Sequence, residues 1–135
     1  MSIYDEKIKN NLYIYRENDK YGLLKLVGSS KKIIIPPRFN MLIATEDKKY
    51  IIASNELKHG VFDLSGKNII PVEYGYINYI KDNTSFVVEK NDKYGILNQK
   101  GEKVLDLIYD IILAYENKDI ILLSINKKFG MLNKK

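Results

Sequence analysis

The sequence lacks several residue types on which chemical sites depend. It contains no cysteine and no tryptophan, and His59 is its only histidine. The absence of cysteine excludes disulfide frameworks, thiol nucleophiles and thiolate metal sites, and it is typical of proteins from a reducing compartment. A single histidine without cysteine does not supply the usual ligand set of a zinc site. We therefore expect no bound metal and no cofactor.

Long hydrophobic runs are also missing. The longest apolar stretches, residues 33–37 and 108–115, fall far short of the roughly 20 residues that a membrane-spanning helix needs. The N-terminal residues include Asp5 and Glu6 and no apolar core of a secretory signal. These features predict a cytoplasmic protein, and 135 residues suffice for one domain with its own core.

The charge of the chain is positive but spread out. There are 22 basic and 17 acidic residues, for a formal net charge of +5, and only Arg16 and Arg38 among the basic residues are arginine. Arginine is the side chain that best reads phosphates and base edges by paired hydrogen bonds. The net charge is +4, −1 and +2 over residues 1–45, 46–90 and 91–135. Weak binding of nucleic acid or an anionic surface through Lys-rich charge is therefore an alternative function, not the first expectation.

A repeat organises the sequence. The pentapeptide NDKYG at residues 18–22 recurs identically at residues 91–95. Degenerate copies occur at residues 58–60 and 127–130, so that an aromatic or planar ring precedes a glycine four times. The four glycines are separated by 38, 35 and 35 residues. The ring and glycine pairs are Tyr21-Gly22, His59-Gly60, Tyr94-Gly95 and Phe129-Gly130.

Each unit continues with the same elements. Asp or Asn stands three residues before a glycine at residues 63–66 and 98–101, which is typical of a type I turn whose glycine, Gly66 or Gly101, adopts a left-handed conformation. A short apolar strand follows and stops at Pro36 or Pro71, because proline cannot donate to a strand ladder. In the first unit we expect residues 27–30 to make the turn three residues longer.

The segments between turns predict an all-β protein. They are short, rich in Ile, Val and Tyr, and separated by polar turns at regular spacing. From Leu12 onward we count 14 strands, which is about 3.5 units of about 35 residues, arranged as tandem antiparallel hairpins or meanders. A closed propeller usually has four or more blades. We therefore expect an open array, with a β-propeller-like or small closed barrel arrangement as the alternative.

We assign residues 12–135 to a single repeat domain. Residues 1–11 lie outside the repeat, and we expect them to form a short helix, an N-terminal cap or a disordered segment.

This unit resembles the bacterial WG repeat, also called the KWG repeat. The resemblance rests on the ring and glycine pair, the turn glycine, the Ile-Ile-Pro-x-x-Tyr segment and the apolar strand that follows. In that family a tryptophan usually precedes the glycine; here Tyr21, His59, Tyr94 and Phe129 stand in its place. The resemblance implies a β-repeat array that serves as an interaction scaffold, and it supplies no active site.

No combination of side chains indicates catalysis. His59, the only histidine base for a serine nucleophile, occupies a repeat position. The acids lie mostly in predicted turns, and no glycine-rich phosphate loop is present. We therefore predict that the protein is not an enzyme and has no catalytic residues. Its expected function is binding to another protein, and neutralisation of a toxin as an immunity protein is a further hypothesis.

The tyrosines suggest where a partner binds. We expect the rings of Tyr21, Tyr94 and Phe129 to be largely buried beside their glycines, because a ring often covers a bare glycine on a neighbouring strand. Tyr79 and Tyr115 are not required by the repeat, since smaller or different residues align with them in other units. An exposed tyrosine offers a large contact area at low entropic cost. Tyr79 and Tyr115 are therefore the candidate partner-binding residues.

Overall fold

A computed structural model describes residues 2–115 and 119–134. Within them the chain forms fifteen β-strands and one short 3₁₀ helix, Lys81–Asn83. No helix in these residues is long and apolar enough to cross a membrane. The strands are β1 (Ser2–Lys9), β2 (Leu12–Glu17), β3 (Lys20–Val27), β4 (Ser30–Phe39), β5 (Met41–Ala44), β6 (Tyr50–Asn55), β7 (Lys58–Asp63), β8 (Asn68–Tyr74), β9 (Tyr76–Ile80), β10 (Ser85–Lys90), β11 (Lys93–Asn98), β12 (Lys103–Tyr109), β13 (Ile111–Ala114), β14 (Ile120–Ile125) and β15 (Lys128–Asn133).

The strands form four antiparallel sheets, each a meander of consecutive strands. Their orders are β1-β2-β3-β4, β5-β6-β7-β8, β9-β10-β11-β12 and β13-β14-β15, and among the described strands no sheet closes on itself. The all-β prediction of tandem antiparallel repeats is confirmed, and the 14 strands expected from Leu12 onward are β2 to β15. The last sheet has three described strands, whereas each of the others has four.

The chain divides into two compact units, Met1–Val72 and Glu73–Lys135. In the first unit, Leu23 and Ile35 of the first sheet share a core with Ile51 and Phe62 of the second. In the second unit, Val87 and Ile96 of the third sheet share a core with Ile112 and Ile121 of the fourth. Alternation along each strand sends every second side chain to the same face. Each such buried aliphatic side chain stabilises the fold by roughly 1.5–3 kcal/mol.

Two-residue turns join the strands that lead into the repeated glycines. In the two identical pentapeptides, Asn18 and Asp19 have φ values of 52° and 63°, and Asn91 and Asp92 have φ values of 54° and 64°. Positive φ at both central residues is the requirement of a type I′ hairpin, and Asn and Asp tolerate it better than most side chains. The repeated NDKYG segment is therefore a hairpin turn followed by the start of a strand.

The turns expected at residues 63–66 and 98–101 are present. The Gly66 N–H donates to the Asp63 carbonyl at 3.1 Å, and the Gly101 N–H donates to the Asn98 carbonyl at 3.0 Å. Gly66 and Gly101 have φ values of 92° and 78°, the left-handed conformation that glycine adopts without strain.

The three extra residues of the first repeat lie in its strands β3 and β4, not in the turn between them as expected. Val27 pairs with Ser30 across a two-residue turn in which Gly28 has a φ of 61°. β3 and β4 have 8 and 10 residues, against 6 and 7 in β7 and β8. A two-residue turn keeps the strands paired to their ends, so the inserted residues extend the ladder.

The N-terminal residues form strand β1, where a short helix or disordered segment was expected. β1 pairs with β2, the Tyr4 ring lies 5.3 Å from the Tyr13 ring, and Ile8 is buried in the core of the first unit. Register shifts interrupt the pairing between Tyr4 and Glu6 and between Lys7 and Lys9. Such bulges break the two-residue alternation by which a strand is recognised in a sequence. The assignment of residues 12–135 to a single domain stays a prediction.

Candidate functional site

Three of the repeated glycines lie very close to the backbone of the neighbouring strand in their sheet. A Cβ atom added to Gly60 would lie 2.5 Å from the Ile70 carbonyl oxygen, and one added to Gly95 would lie 2.8 Å from the Leu105 carbonyl oxygen. Gly22 has the same relation to Ile35, at 2.5 Å. These carbonyls belong to β4, β8 and β12, the fourth strands of the three complete sheets. At these positions a side chain would collide with backbone.

The rings that precede these glycines are half-buried. Tyr21 pairs with Phe39 across β3 and β4, and Tyr94 pairs with Tyr109 across β11 and β12. His59 is half-buried as well, and its Nδ1 atom lies 2.6 Å from the Ser54 hydroxyl. Tyr21 and Tyr94 are thus less buried than expected.

Phe129 contradicts the prediction of a buried ring. Its side chain is 82% exposed, and a Cβ atom added to Gly130 would meet nothing within 4 Å. Tyr21 and Tyr94 pair with a fourth strand and also pack against the core that their sheet shares with the following sheet, whereas Phe129 has neither contact among the described residues. Burial at this repeat position therefore depends on neighbouring elements, not on the ring and glycine themselves.

Met131 shows the same effect more sharply. It occupies the repeat position of Leu23, Val61 and Ile96, which are 0%, 0% and 2% exposed, whereas Met131 is 70% exposed. Leu23 and Ile96 pair with residues of a fourth strand. They also lie in the cores that the first and third sheets share with the following sheet, to which Met131 does not belong. We call residues 128–131 of β15, with the unpaired backbone beside them, the open edge.

The open edge also differs from the sheet edges in the other repeats. β4 contains Pro36 and Pro37, β8 contains Pro71, and β12 contains Asp106. Proline and charged residues are the usual means by which an edge strand avoids pairing with another chain. β15 has the sequence KFGMLN, which contains no proline and whose only charged residue is Lys128 at its start. Its central residues, FGML, are typical of a strand that is paired on both sides, although β15 lies at an edge of its sheet.

The two predicted binding tyrosines lie in different sheets of the second unit. Tyr79 is on β9 and half-buried, and its ring packs 5.0 Å from the Phe86 ring on the paired strand β10. Tyr115 follows β13 and is 49% exposed, while its carbonyl accepts a hydrogen bond from the Lys134 ammonium at 2.5 Å. Exposure thus makes Tyr115 available to a partner, whereas Tyr79 packs within its own sheet.

Sequence reasoning missed Met131 and Lys128 as site residues. The sequence carries no local signal for Met131, since it aligns with Leu23, Val61 and Ile96, which are buried.

Turn hydrogen bonds and burial are the main causes of the pKa shifts in the described residues. Burial alone would raise the pKa of Asp63, but hydrogen bonds from the Ser65 hydroxyl and from the Lys67 and Ser65 N–H groups outweigh it and lower the pKa below its ordinary value. A hydrogen bond from the Lys93 ammonium, together with one from the Asn126 N–H, lowers the pKa of Asp110.

Tyr15 is the one buried side chain among the described residues whose polar atom has no hydrogen-bond partner. Burial, and to a smaller extent the charge of Glu17, raises the pKa of its hydroxyl. Its ring lies against Gly22, which it faces across β2 and β3, so it covers the bare glycine. Tyr15 therefore has a packing role in the first sheet.

Possible sites of other kinds are few in the described part of the chain. No three His, Asp or Glu side chains group there in a way that could hold a metal ion. An open groove of about 420 Å³ in the first unit is lined mainly by polar and basic side chains, with Lys20, Arg38 and Lys58 beside Glu56.

Meandering four-stranded sheets are repeated along the chain, and a glycine lies beside each fourth strand. This is the architecture of a β-repeat protein. The sequence model described as "WG containing repeat" matches residues 60–94 and 94–129, about half of the chain. The chain belongs to the WG repeat family.

Other comparisons give weaker likenesses. A plant lectin with two metal-binding sites from Cicer arietinum is 13% identical, with 98% of this chain and 84% of that chain covered and a TM-score of 0.35. LS24, a seed albumin from Lathyrus sativus, is 15% identical, with 96% and 83% covered and a TM-score of 0.33. A plant albumin from Cicer arietinum showing hemagglutination is 13% identical, with 99% and 85% covered and a TM-score of 0.33. No curated protein sequence matches the chain.

Proposed function

We propose that the protein is a non-catalytic module that binds another protein through the open edge and the apolar side chains beside it. The observation that carries the proposal is the exposure of Met131, 70%, at a repeat position that is buried in the three other units. Large exposed apolar side chains that lie together mark interaction sites more often than isolated ones do.

Neighbouring strands extend this apolar surface. Leu113, Leu122 and Met131 lie opposite one another across β13, β14 and β15. Phe129 is on the same face as Met131, because residues two apart on a strand share a face. Leu113 is 39% exposed. A partner that covers this surface removes apolar area from water, which is the main favourable term in protein association.

The proposal is tested by capture of a partner from native cell lysate on the immobilised chain. We expect Phe129→Lys to abolish the capture, because a lysine ammonium cannot be buried there without a counter-charge. The matched control is Leu57→Lys, since Leu57 is also 82% exposed but lies in the turn between β6 and β7. A partner retained equally by both variants would place the binding surface elsewhere.

A screen for catalytic activity is a second test of the proposal. Turnover in a broad hydrolase and phosphatase screen, abolished by substitution of one carboxylate, would contradict a non-catalytic function. A toxin as the partner stays a hypothesis from the sequence, and the net charge of +5 disfavours a toxin with a basic face.

A second candidate is weak binding of an anionic surface through the basic groove of the first unit. Lys20, Arg38 and Lys58 line it, although Glu56 offsets part of their charge. Such binding weakens steeply as salt is added. A salt titration of binding to anionic vesicles or to single-stranded DNA therefore separates this candidate from the apolar edge, whose affinity should change little.

A further inference from the structure

The three complete sheets define what pairs with a strand of the β15 type. In each, the glycine strand lies between its hairpin partner and a fourth strand, and β15 matches β3, β7 and β11 in the repeat. Tyr21 pairs with Phe39, and Leu23 pairs with Ile35. The same register recurs in the third sheet, where Tyr94 pairs with Tyr109 and Ile96 with Leu105. By equivalence, Phe129 faces an aromatic residue and Met131 faces Ile or Leu.

The spacing between those two partners follows from the glycine. The two paired residues are four positions apart on the fourth strand, as in Ile35 and Phe39 or Leu105 and Tyr109. Their partners on the glycine strand are only two positions apart. This irregularity places the carbonyl of Ile35 or Leu105 against the bare glycine. Gly130 leaves the same space open on β15. A docking strand therefore needs an aliphatic residue and, four positions later, an aromatic one.

A charge adds a third requirement. In the first and third sheets, the lysine that begins the glycine strand reaches the residue just after the aromatic of the fourth strand: the Lys20 ammonium donates to Asn40 Oδ1 and the Lys93 ammonium to Asp110 Oδ1, both at 2.6 Å. Lys128 is the equivalent lysine on β15, and no such acceptor lies beside it among the described residues. An Asp or Asn at this place in a docking strand would satisfy Lys128.

We propose that the open edge accepts an extended segment of a partner protein as the fourth strand of the last sheet. The segment carries Ile or Leu, then Phe or Tyr four residues later, followed directly by Asp or Asn, and it pairs antiparallel to β15. Backbone hydrogen bonds supply affinity in this mode of recognition and side-chain positions supply specificity. This inference rests on the proposed function and names the chemistry of the partner.

Charge favours such a segment over a second copy of β15. The strand is preceded by Lys127 and begins with Lys128. β15 contains no acidic residue, so a second copy paired with it would offer Lys128 no carboxylate. A segment with an acid after the aromatic residue is complementary to the same lysines, as Asp110 is to Lys93.

The chain contains its own probe for the test. A capped, fluorescent peptide with the sequence of residues 102–111, EKVLDLIYDI, contains β12 and Asp110. We expect it to bind the full chain with one-to-one stoichiometry and to slow the exchange of β15 amide hydrogens. A peptide in which the residues matching Leu105 and Tyr109 are both Asn is the control and should bind at least about tenfold more weakly, a loss of about 1.4 kcal/mol.

Gly130→Val separates docking from folding. The variant should melt as the unchanged chain does, because no described atom lies within 4 Å of a Cβ added at this position. It should bind the peptide at least about tenfold more weakly, because the valine occupies the place of the incoming carbonyl. Undiminished peptide binding by a folded Gly130→Val variant would overturn the proposed register.

A charge reversal checks the lysine contact independently. Lys128→Glu should weaken the peptide by about three- to tenfold, and replacing the peptide residue that matches Asp110 with Lys should restore the affinity of this variant. If Lys128→Glu bound both the original and the charge-reversed peptide weakly, the predicted contact between Lys128 and the residue that matches Asp110 would be wrong.

The remaining outcomes distinguish this inference from the proposed function. No peptide binding up to about 1 mM, together with a Phe129-dependent partner in the lysate experiment, overturns strand docking and leaves the binding module standing. Concentration-dependent dimerisation through β15, detected by sedimentation, would instead assign the edge to a second copy and overturn the inference.

Discussion

At the scale of single residues, Tyr79 and Tyr115 differ in what their rings contact. The Tyr79 ring packs on Phe86, with the centroids 5.0 Å apart, whereas Tyr115 is 49% exposed. We predict that Tyr79→Ala lowers the free energy of unfolding by about 1–3 kcal/mol and Tyr115→Ala by less than about 1 kcal/mol. Urea denaturation measures both. Equal costs would show that the Tyr79 ring contact contributes nothing to stability.

The Asp63 carboxylate makes one turn sensitive to acid. Its pKa is lowered in the folded state, so its contribution to stability is full above the ordinary carboxyl pKa and is lost as pH falls through that value to the folded one. Asp63→Asn should cost more stability at pH 7 than at acidic pH, where the aspartate becomes protonated. Asn98 shows that asparagine supports the same turn, since its Oδ1 accepts from Lys100 and Glu102.

The measurement is urea denaturation of both forms across this pH range. A stability gap that stays constant from neutral to acidic pH would mean that the carboxylate charge is not what stabilises the turn.

At the scale of elements, the fourth strand decides what a glycine tolerates. We predict that Gly95→Val costs about 2 kcal/mol or more, because the Leu105 carbonyl oxygen and the Leu107 side chain lie 2.8 Å and 3.0 Å from the added Cβ. Gly130→Val should change stability by less than about 0.5 kcal/mol. Thermal and urea denaturation of the two variants, each the control of the other, check this. Similar costs at both positions would contradict the difference between β11 and β15.

Most strands could be predicted because their limits are set by local residues. The Asn18-Asp19 and Asn91-Asp92 turns, and the glycines of the longer turns, are visible in the sequence and fix the hairpins by their backbone preferences. β1 could not be recognised, because two bulges interrupt its alternation of buried and exposed side chains. Strand signals thus fail where the ladder is irregular.

The candidate site was harder to predict than the strands. Phe129 and Tyr94 occupy equivalent positions in the sequence, but Tyr94 pairs with Tyr109 and packs against the core of its compact unit, whereas Phe129 has neither contact among the described residues and is 82% exposed. Burial depends on contacts between segments distant in sequence, which a local pattern does not contain. Tyr79 shows the converse, because an aromatic residue on the facing strand packs against it.

At the scale of the whole molecule, the repeat count bears on whether the units form an open array. About 3.5 units are fewer than the four blades of the smallest common propellers, so the sequence predicts an open array. Small-angle scattering should then give a radius of gyration clearly above the roughly 14 Å of a compact 135-residue chain. A value at that limit would favour the closed alternative.

We claim above all that three sheets are complete, whereas among the described residues no strand lies beside β15 on the side away from β14. Amide hydrogen exchange of the whole chain, at a concentration where it is monomeric, tests it most directly, because an N–H paired within a sheet exchanges slowly and one at an open edge exchanges fast. The account predicts protection of consecutive amides in β11, and protection of only alternate amides in β15, those that face β14. Protection of consecutive amides in β15 equal to that in β11 would contradict the claim, since it would require a strand on both sides of β15.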